Sequence, residues 1–206
     1  MIAILDYATS RATDYQKAFD SVGAPAAIVN SLDRLEAAHQ ILLPPCDSFP
    51  QAVRSIRDRG LISAIFRAVD DGRPVLGVAQ GAHLLFDVSY EDGQHTGLGL
   101  FPGKVTGFQF TGQPITSASD RIHRGWSSIQ RDANHALLDG IPADAQFYFD
   151  HAFFAEPLDE QLVAATCFHG VQFPTLVGHG NLQAVEFLPE KSGDVGRQFL
   201  KNFAAN

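Results

Sequence analysis

Residues 74–86, PVLGVAQGAHLLF, place a short apolar strand directly before a small-residue turn and an apolar helix. Gly77, Ala79 and Gly81 form a Gly-x-Ala-x-Gly pattern at the turn. In a Gly-x-nucleophile-x-Gly elbow, small flanking residues allow a sharp strand-to-helix turn that presents the central side chain above a sheet. The stretch therefore predicts an α/β fold whose turn presents a methyl group where such turns present a nucleophile.

Short apolar runs alternate with helix-period segments on both sides of this turn, which is typical of a sheet covered by helices on both faces. After residue 100 the runs are typical of antiparallel strands. No linker or repeat divides the chain, so we expect one domain over residues 1–206. The predicted strands are 2–5, 26–29, 41–43, 74–78, 147–154, 162–167, 175–177 and 182–187, and the predicted helical stripes are Tyr15/Phe19/Val22, Ile62/Ile65/Phe66/Val69 and Val195/Phe199/Phe203.

Composition excludes several classes of function. The 206 residues have a formal net charge of -8 and no basic run, which argues against a nucleic-acid binder. No apolar stretch approaches the length of a membrane span, and the first residues lack the basic region of a signal peptide. Cys46 and Cys167 form no disulfide framework. We therefore expect a cytoplasmic protein with no membrane contact.

Several further runs, in a fixed order, resemble class I glutamine amidotransferases, and most closely the glutaminase subunits of imidazole glycerol phosphate synthase. The resemblance implies a flavodoxin-like, three-layer α/β sandwich. Its central sheet would be mostly parallel, with an added antiparallel region in the C-terminal half. The runs are GLGLFPGKV (97–105), HRGWSSI (123–129), HALLDGI (135–141), FYFDHAF (147–153) and VEFLPEKSGDVG (185–196).

The family uses a Cys-His-Glu triad that splits glutamine through a γ-glutamyl thioester and passes ammonia to a partner synthase. In such a triad the thiolate attacks, the histidine moves protons and the carboxylate orients the histidine. The resemblance places the nucleophile at Ala79 and the histidine at Leu188, so both are lost. It leaves Glu190 as the retained carboxylate. An engineered Cys-to-Ala change would explain Ala79 but not Leu188.

The expected binding residues around the turn also depart from the family pattern. The family has Pro-Gly-x-Gly after its third strand, where this chain has Pro45 and Cys46 within Pro-Pro-Cys-Asp. Proline fixes φ near -65°, so we expect the oxyanion loop to be less adaptable. Gln80 keeps a backbone N–H, and His83 replaces a glutamine. Residues 8–12 replace a Gly-x-Gly-Asn loop that faces the synthase in the family.

The remaining polar residues have less specific interpretations. The histidines show no metal-ligand spacing on a helix, so we expect no metal and no cofactor. Glu190 is expected to cap local N–H groups or to pair with His83. Asp150 is expected to be exposed on a strand with alternate faces buried.

Two functions remain open. The first is an amidotransferase fold that has lost glutaminase chemistry and acts as a binding or regulatory subunit, with a cyclase-barrel synthase as its partner and a small-molecule ligand in the degenerate pocket. The second is an enzyme with repurposed chemistry that uses Cys46, His83, His151 or Glu190. A reactive, low-pKa Cys46 would favour the enzyme, and an inert Cys46 would favour the subunit.

Overall fold

The computed structural model describes residues 1–7, 11–110, 121–131 and 135–206. Six α-helices are described, and the one after the turn is a single turn long. They are α1 (Ala12–Ser21), α2 (Leu32–Glu36), α3 (Phe49–Asp58), α4 (Ile62–Asp70), α5 (Gln80–His83) and α6 (Gly193–Ala205). The strands are β1 (Ile2–Leu5), β2 (Ala26–Val29), β3 (Gln40–Leu43), β4 (Val75–Val78), β5 (Phe86–Ser89), β6 (His95–Thr96), β7 (Phe101–Gly107), β8 (His123–Ser128), β9 (Gln130–Arg131), β10 (Gln146–His151), β11 (Phe153–Pro157), β12 (Val163–His169), β13 (Val171–His179) and β14 (Leu182–Val185).

An eight-stranded mixed sheet forms the centre, in the order β2-β1-β3-β4-β14-β13-β12-β9. The first five of these strands pair in parallel, and the last three continue the sheet with antiparallel pairs. A two-stranded sheet (β10-β8) and a four-stranded sheet (β11-β7-β5-β6) lie beside it. The predicted α/β class, with a mostly parallel central sheet and an antiparallel C-terminal region, is confirmed.

The two faces of the central sheet bury different helices, as expected for a three-layer fold. Alternate side chains of β1 lie on opposite faces of the sheet: Ala3 and Leu5 belong to one apolar cluster, and Ile2 and Ile4 belong to the other. The first cluster contains the buried faces of α3 and α4, and the second those of α1 and α6. No described helix is long and apolar enough to cross a membrane.

Several predicted bounds are corrected. The helix after the turn ends at His83, and β5 follows within three residues. The predicted strand 147–154 is two strands separated at Ala152. In α4 the fully buried face is Ala64, Ile65 and Ala68, while the predicted stripe of Ile62, Phe66 and Val69 is only partly buried against the same core. In α6, Val195 is likewise partly buried.

The turn at residue 79 has the strained backbone of an elbow. Ala79 has φ 48° and ψ -121°, one of two positive φ values among the described non-glycine residues. A Cβ on Gly77 would lie 2.6 Å from Ala82 Cα. A Cβ on Gly81 would overlap the carbonyl oxygen of Leu43 at the end of β3. Both glycines are therefore required because backbone segments approach too closely for a side chain.

Gly81→Ala should lower the free energy of unfolding by about 3 kcal/mol, because the added methyl group meets backbone atoms that cannot move aside. Gly60→Ala is the matched control, since Gly60 has φ 67° but open space around its Cβ position. Its cost should be about 1 kcal/mol, from backbone conformation alone. Urea denaturation measures both; a smaller loss for Gly81→Ala than for Gly60→Ala would contradict the close packing of the turn.

Candidate site at the strand-to-helix turn

The two positions where the resemblance expects a nucleophile and a base are apolar and buried. Ala79 is 1 % exposed, and its N–H donates to the carbonyl of Val185 at 2.7 Å. Leu188 is 2 % exposed, and its N–H donates to the carbonyl of Tyr148 at 2.8 Å. Both side chains belong to the same apolar cluster. Neither can accept or donate a proton, so these positions contribute packing only.

Glu190 is held by α1. The hydroxyl of the fully buried Tyr15 donates to Glu190 Oε2 at 2.6 Å. Burial raises the pKa of Glu190, although the hydrogen bond from Tyr15 lowers it in part. The expected pairing of Glu190 with His83 is wrong, because His83 bonds to another carboxylate and Tyr15 takes Glu190.

That other carboxylate is Glu186, which follows β14 and is 3 % exposed. Its Oε2 lies 3.0 Å from His83 Nε2 and 3.6 Å from His151 Nδ1. Its Oε1 accepts the N–H of Ala155 at 2.9 Å. A buried carboxylate is stable only where donors surround it. His83 Nε2 and the Ala155 N–H supply two donors, whereas the Nδ1 proton of His151 is directed to the carbonyl of Phe153. Glu186 was not predicted from the sequence. The feature that could have indicated it is an acidic residue between two apolar residues, in the run VEF.

His83 is hydrogen-bonded to Glu186 through Nε2 only. Burial alone lowers its pKa, but the charge of Glu186 and the hydrogen bond to it raise the pKa, as does the charge of Glu91, and the result is a raised pKa. Its Nδ1 is buried without a partner among the described residues, and so is Oε2 of Glu91. Below the raised pKa of His83, this residue and Glu186 therefore form a buried ion pair, next to the buried Oε2 of Glu91.

A chain of histidines extends from Glu186. Because the carbonyl of Phe153 can only accept, the 2.8 Å contact requires a proton on His151 Nδ1. His151 Nε2 then accepts from His123 Nδ1 at 3.2 Å, and His123 Nε2 accepts from the Ser127 hydroxyl at 2.8 Å. Burial lowers the pKa of His151 and, together with its histidine neighbours, lowers the pKa of His123 to about 3. Both rings are therefore neutral near pH 7.

Asp150, next to His151, is not fully exposed as expected. Its carboxylate accepts from Arg124 Nε at 2.8 Å, and its side chain is 23 % exposed. The half-buried position follows from the pairing of β10 with β8, which sets Asp150 opposite Arg124. The expected alternation of buried and more exposed residues along β10 is present.

The predicted oxyanion loop is held from several sides. The hydroxyl of Tyr7 donates to the carbonyl of Pro44, and the backbone N–H of Arg11 donates to the carbonyl of Pro45 at 2.9 Å. Cys46 is 4 % exposed, and burial is the main cause that raises the pKa of its thiol to about 12. Within the described residues, no hydrogen bond joins this thiol to a histidine. Gln80 begins α5 and is half-buried.

The described residues contain no group of three or more His, Cys, Asp or Glu side chains placed to hold a metal ion. What the structure brings together among the described residues is a buried acid–base network around Glu186. His83 and His151 meet at Glu186, whereas Glu190 is bound separately by Tyr15.

Removing one partner of the buried pair should be costly. Glu186→Gln and His83→Gln should each lower the free energy of unfolding by about 3 kcal/mol, and the double variant should cost less than their sum. Glu156→Gln, in the exposed pair with Lys104, is the matched control and should change stability by under about 1 kcal/mol. Additive losses in the double-mutant cycle would show that the two side chains do not interact.

The same variants should respond to pH. Because the folded pKa of His83 is raised, its contribution is fully present below its unfolded pKa of about 6.5 and is lost as pH rises through the folded value. The stability difference between wild type and His83→Gln should therefore be larger at pH 5.5 than at pH 8.5. A difference that grows with pH would contradict the ion pair.

The chain matches the family model of glutamine amidotransferase class-I over residues 4–206. It is 36 % identical over 203 residues to "Imidazole glycerol phosphate synthase subunit HisH" of Desulfitobacterium hafniense, covering 98 % of this chain and 93 % of that protein. It is 39 % identical over 205 residues to the protein of the same name from Microcystis aeruginosa, covering 98 % and 94 %.

Solved structures support the same fold. The chain aligns with "Crystal structure of glutamine amidotransferase" at a TM-score of 0.74 and 20 % identity, covering 100 % and 99 % of the two chains. It aligns with "Structure of PurLQS from Thermotoga maritima" at 0.77 and 17 %, covering 98 % and 96 %. With its strained elbow, its ordered runs and these matches over nearly its full length, the chain belongs to the class I glutamine amidotransferase family, among relatives of the HisH type.

Proposed function

We propose that this chain is the amidotransferase-fold subunit of a synthase of the imidazole glycerol phosphate synthase type, and that it acts without hydrolysing glutamine, as a binding or regulatory subunit. One observation carries the proposal: Ala79 lies on an intact elbow with φ 48°, and Leu188 is buried at the position of the base. The scaffold is complete, but neither position has a group that can react.

The size of the catalytic loss supports inactivity. In a triad hydrolase, losing either the nucleophile or the base alone reduces kcat on the order of a millionfold, or about 8 kcal/mol of barrier. Here both are absent. A thioester cannot form at residue 79, because alanine has no sulfur to bond to the substrate. The carboxylate of Glu190 likewise has no histidine to orient, because residue 188 is leucine.

The former reaction centre keeps features suited to a ligand. His83 Nδ1 and Glu91 Oε2 are buried without partners in the described part of the chain, and Cys46, Pro45 and Gln80 border the same turn. Buried polar atoms are stable only when something bonds to them. A small polar molecule that supplies both a donor and an acceptor would satisfy His83 and Glu91, which supports the expected ligand in the degenerate pocket.

A patch beside Leu188 supports docking to a partner. Trp126 is 52 % exposed and packs edge-on against Tyr148, at 5.8 Å between ring centroids. Lys191 lies 5.8 Å above the Tyr148 ring. Exposed aromatic rings beside a cation are typical of interface centres. We propose that this patch, defined by Trp126, Tyr148 and Lys191, faces a cyclase-barrel synthase.

The direct test mixes the purified chain with a cyclase-barrel synthase from the same cell and measures binding, ammonia release from glutamine and synthase turnover. We expect a complex, no ammonia release, and turnover only when free ammonium is supplied. Ala79→Cys combined with Leu188→His should recover little glutaminase activity, because Pro45 still restrains the oxyanion loop. Glutamine-dependent turnover by the wild-type chain at rates ordinary for the family would overturn the proposal.

A thiol measurement tests the repurposed enzyme. Because the pKa of Cys46 is raised to about 12, we expect it to react with a thiol reagent at pH 8 far more slowly in the native protein than in urea. Cys167, with a pKa raised to about 11, is the internal control for a structural thiol. Rapid native labelling of Cys46 alone, identified by peptide mass, would favour the repurposed enzyme.

A further inference from the structure

A cleft of about 480 Å³ lies between α3 and the segment that leads into β6, away from the elbow residues. Arg54 and Arg57 line it from α3, and Gln94, His95 and Thr96 line it from the other side. Its volume falls in the range of small-molecule sites. None of these five residues has a role in the proposed function.

The fold of α3 sets the two arginines beside each other. Phe49, Ala52, Val53 and Ile56 form its buried face, so positions 54 and 57 point away from the core. They are three residues apart and therefore adjacent on the helix surface. The buried face sets the orientation of α3 against the core. The cleft lies where the outer side of this helix meets the segment at β6.

Neither of these two guanidinium groups has a partner within the described part of the chain. Most described arginines are engaged: ion pairs hold Arg11, Arg67, Arg73, Arg124 and Arg197, and carbonyl groups accept from Arg59 and Arg131. Among the described residues, Arg54 and Arg57 have no ion pair and no hydrogen bond. Two unpaired guanidinium groups that line one cleft have the charge and the N–H donors to bind an anion together.

The other lining groups narrow the ligand class. The amide of Gln94 and the hydroxyl of Thr96 add donors opposite the arginines. The imidazole of His95 also lines the cleft, with its Nε2 3.4 Å from the carbonyl oxygen of Asp92. Asp58 also lines the cleft, and its carboxylate accepts hydrogen bonds from hydroxyl groups. The overall negative charge disfavours a long polyanion such as nucleic acid.

We propose that this cleft binds a small, soluble phosphomonoester that bears hydroxyl groups, such as a phosphorylated sugar. The phosphate lies between Arg54 and Arg57, and the hydroxyl-bearing part extends toward Asp58 and Thr96. This site is separate from the degenerate pocket and does not depend on whether glutamine is hydrolysed.

The experiment is a titration of the full chain, in low salt at pH 7.5, with glucose 6-phosphate, inorganic phosphate and glucose as probes. Calorimetry gives the affinity, and amide shifts in NMR spectra locate the site. We expect glucose 6-phosphate to bind more tightly than inorganic phosphate, glucose not to bind, and the shifts to centre on residues 54–58 and 94–96.

The variant Arg54→Gln/Arg57→Gln should weaken glucose 6-phosphate binding by about tenfold or more, since each lost charged hydrogen bond weakens binding severalfold. Arg34→Gln is the matched control: Arg34 is an exposed arginine of α2 that is likewise unpaired among the described residues, and its loss should leave the affinity unchanged. No binding at millimolar probe, shifts centred elsewhere, or equal loss in the control would overturn the proposal. The NMR mapping uses the wild-type chain, so it decides the matter even if the double variant folds poorly.

Discussion

The carboxylate of Glu186 is the constraint on which the site depends. It lies at the end of β14 in the central sheet, and it contacts the single-turn helix α5 through His83, β11 through the Ala155 N–H, and β10 through His151. One buried side chain therefore joins the central sheet to both smaller sheets. Such a group is tolerated because its donors offset the cost of removing charge from water.

The elbow at Ala79 has the backbone geometry of a nucleophile turn, but its side chain is a methyl group. A positive φ at a non-glycine residue costs about 1–3 kcal/mol, yet Ala79 keeps it without presenting a reactive atom. Packing explains why the turn can persist: Gly81 lies against the end of β3, and the Ala79 N–H bonds to β14. The turn therefore has a structural role in joining three neighbouring strands, β3, β4 and β14.

Patterns that are local in sequence predicted the fold well. The alternation of apolar runs fixed β1 and β2 at their observed bounds, and the turn residues located the elbow. Helix α3 has no counterpart among the predicted elements, because the prolines around it hide an amphipathic helix that begins directly after the loop. Hydrophobic periodicity could not predict that α5 is a single turn long. The helix ends there because the N–H groups of Gly97 and Leu98 bond to carbonyl groups of the residues that follow α5.

The candidate site was predictable only in part, since its contacts join distant segments. Ala79 and Leu188 follow from aligned motifs, but the partner of His83 lies 103 positions away and that of Glu190 lies 175 positions away. Nothing local distinguishes Glu186 from Glu190 as the partner of His83, so pairing with Glu190 was a reasonable but wrong expectation. Tertiary packing of α1 against the segment after β14 decides which carboxylate Tyr15 takes.

Side-chain ¹⁵N NMR of the histidines at pH 6.5 measures the charge network most directly. We expect His83 to be mostly protonated on both ring nitrogens, because it pairs with Glu186, and His151 and His123 to be neutral with the proton on Nδ1. A neutral His83 at this pH, or a protonated His151 beside it, would contradict the claim that His83 and Glu186 form a buried ion pair.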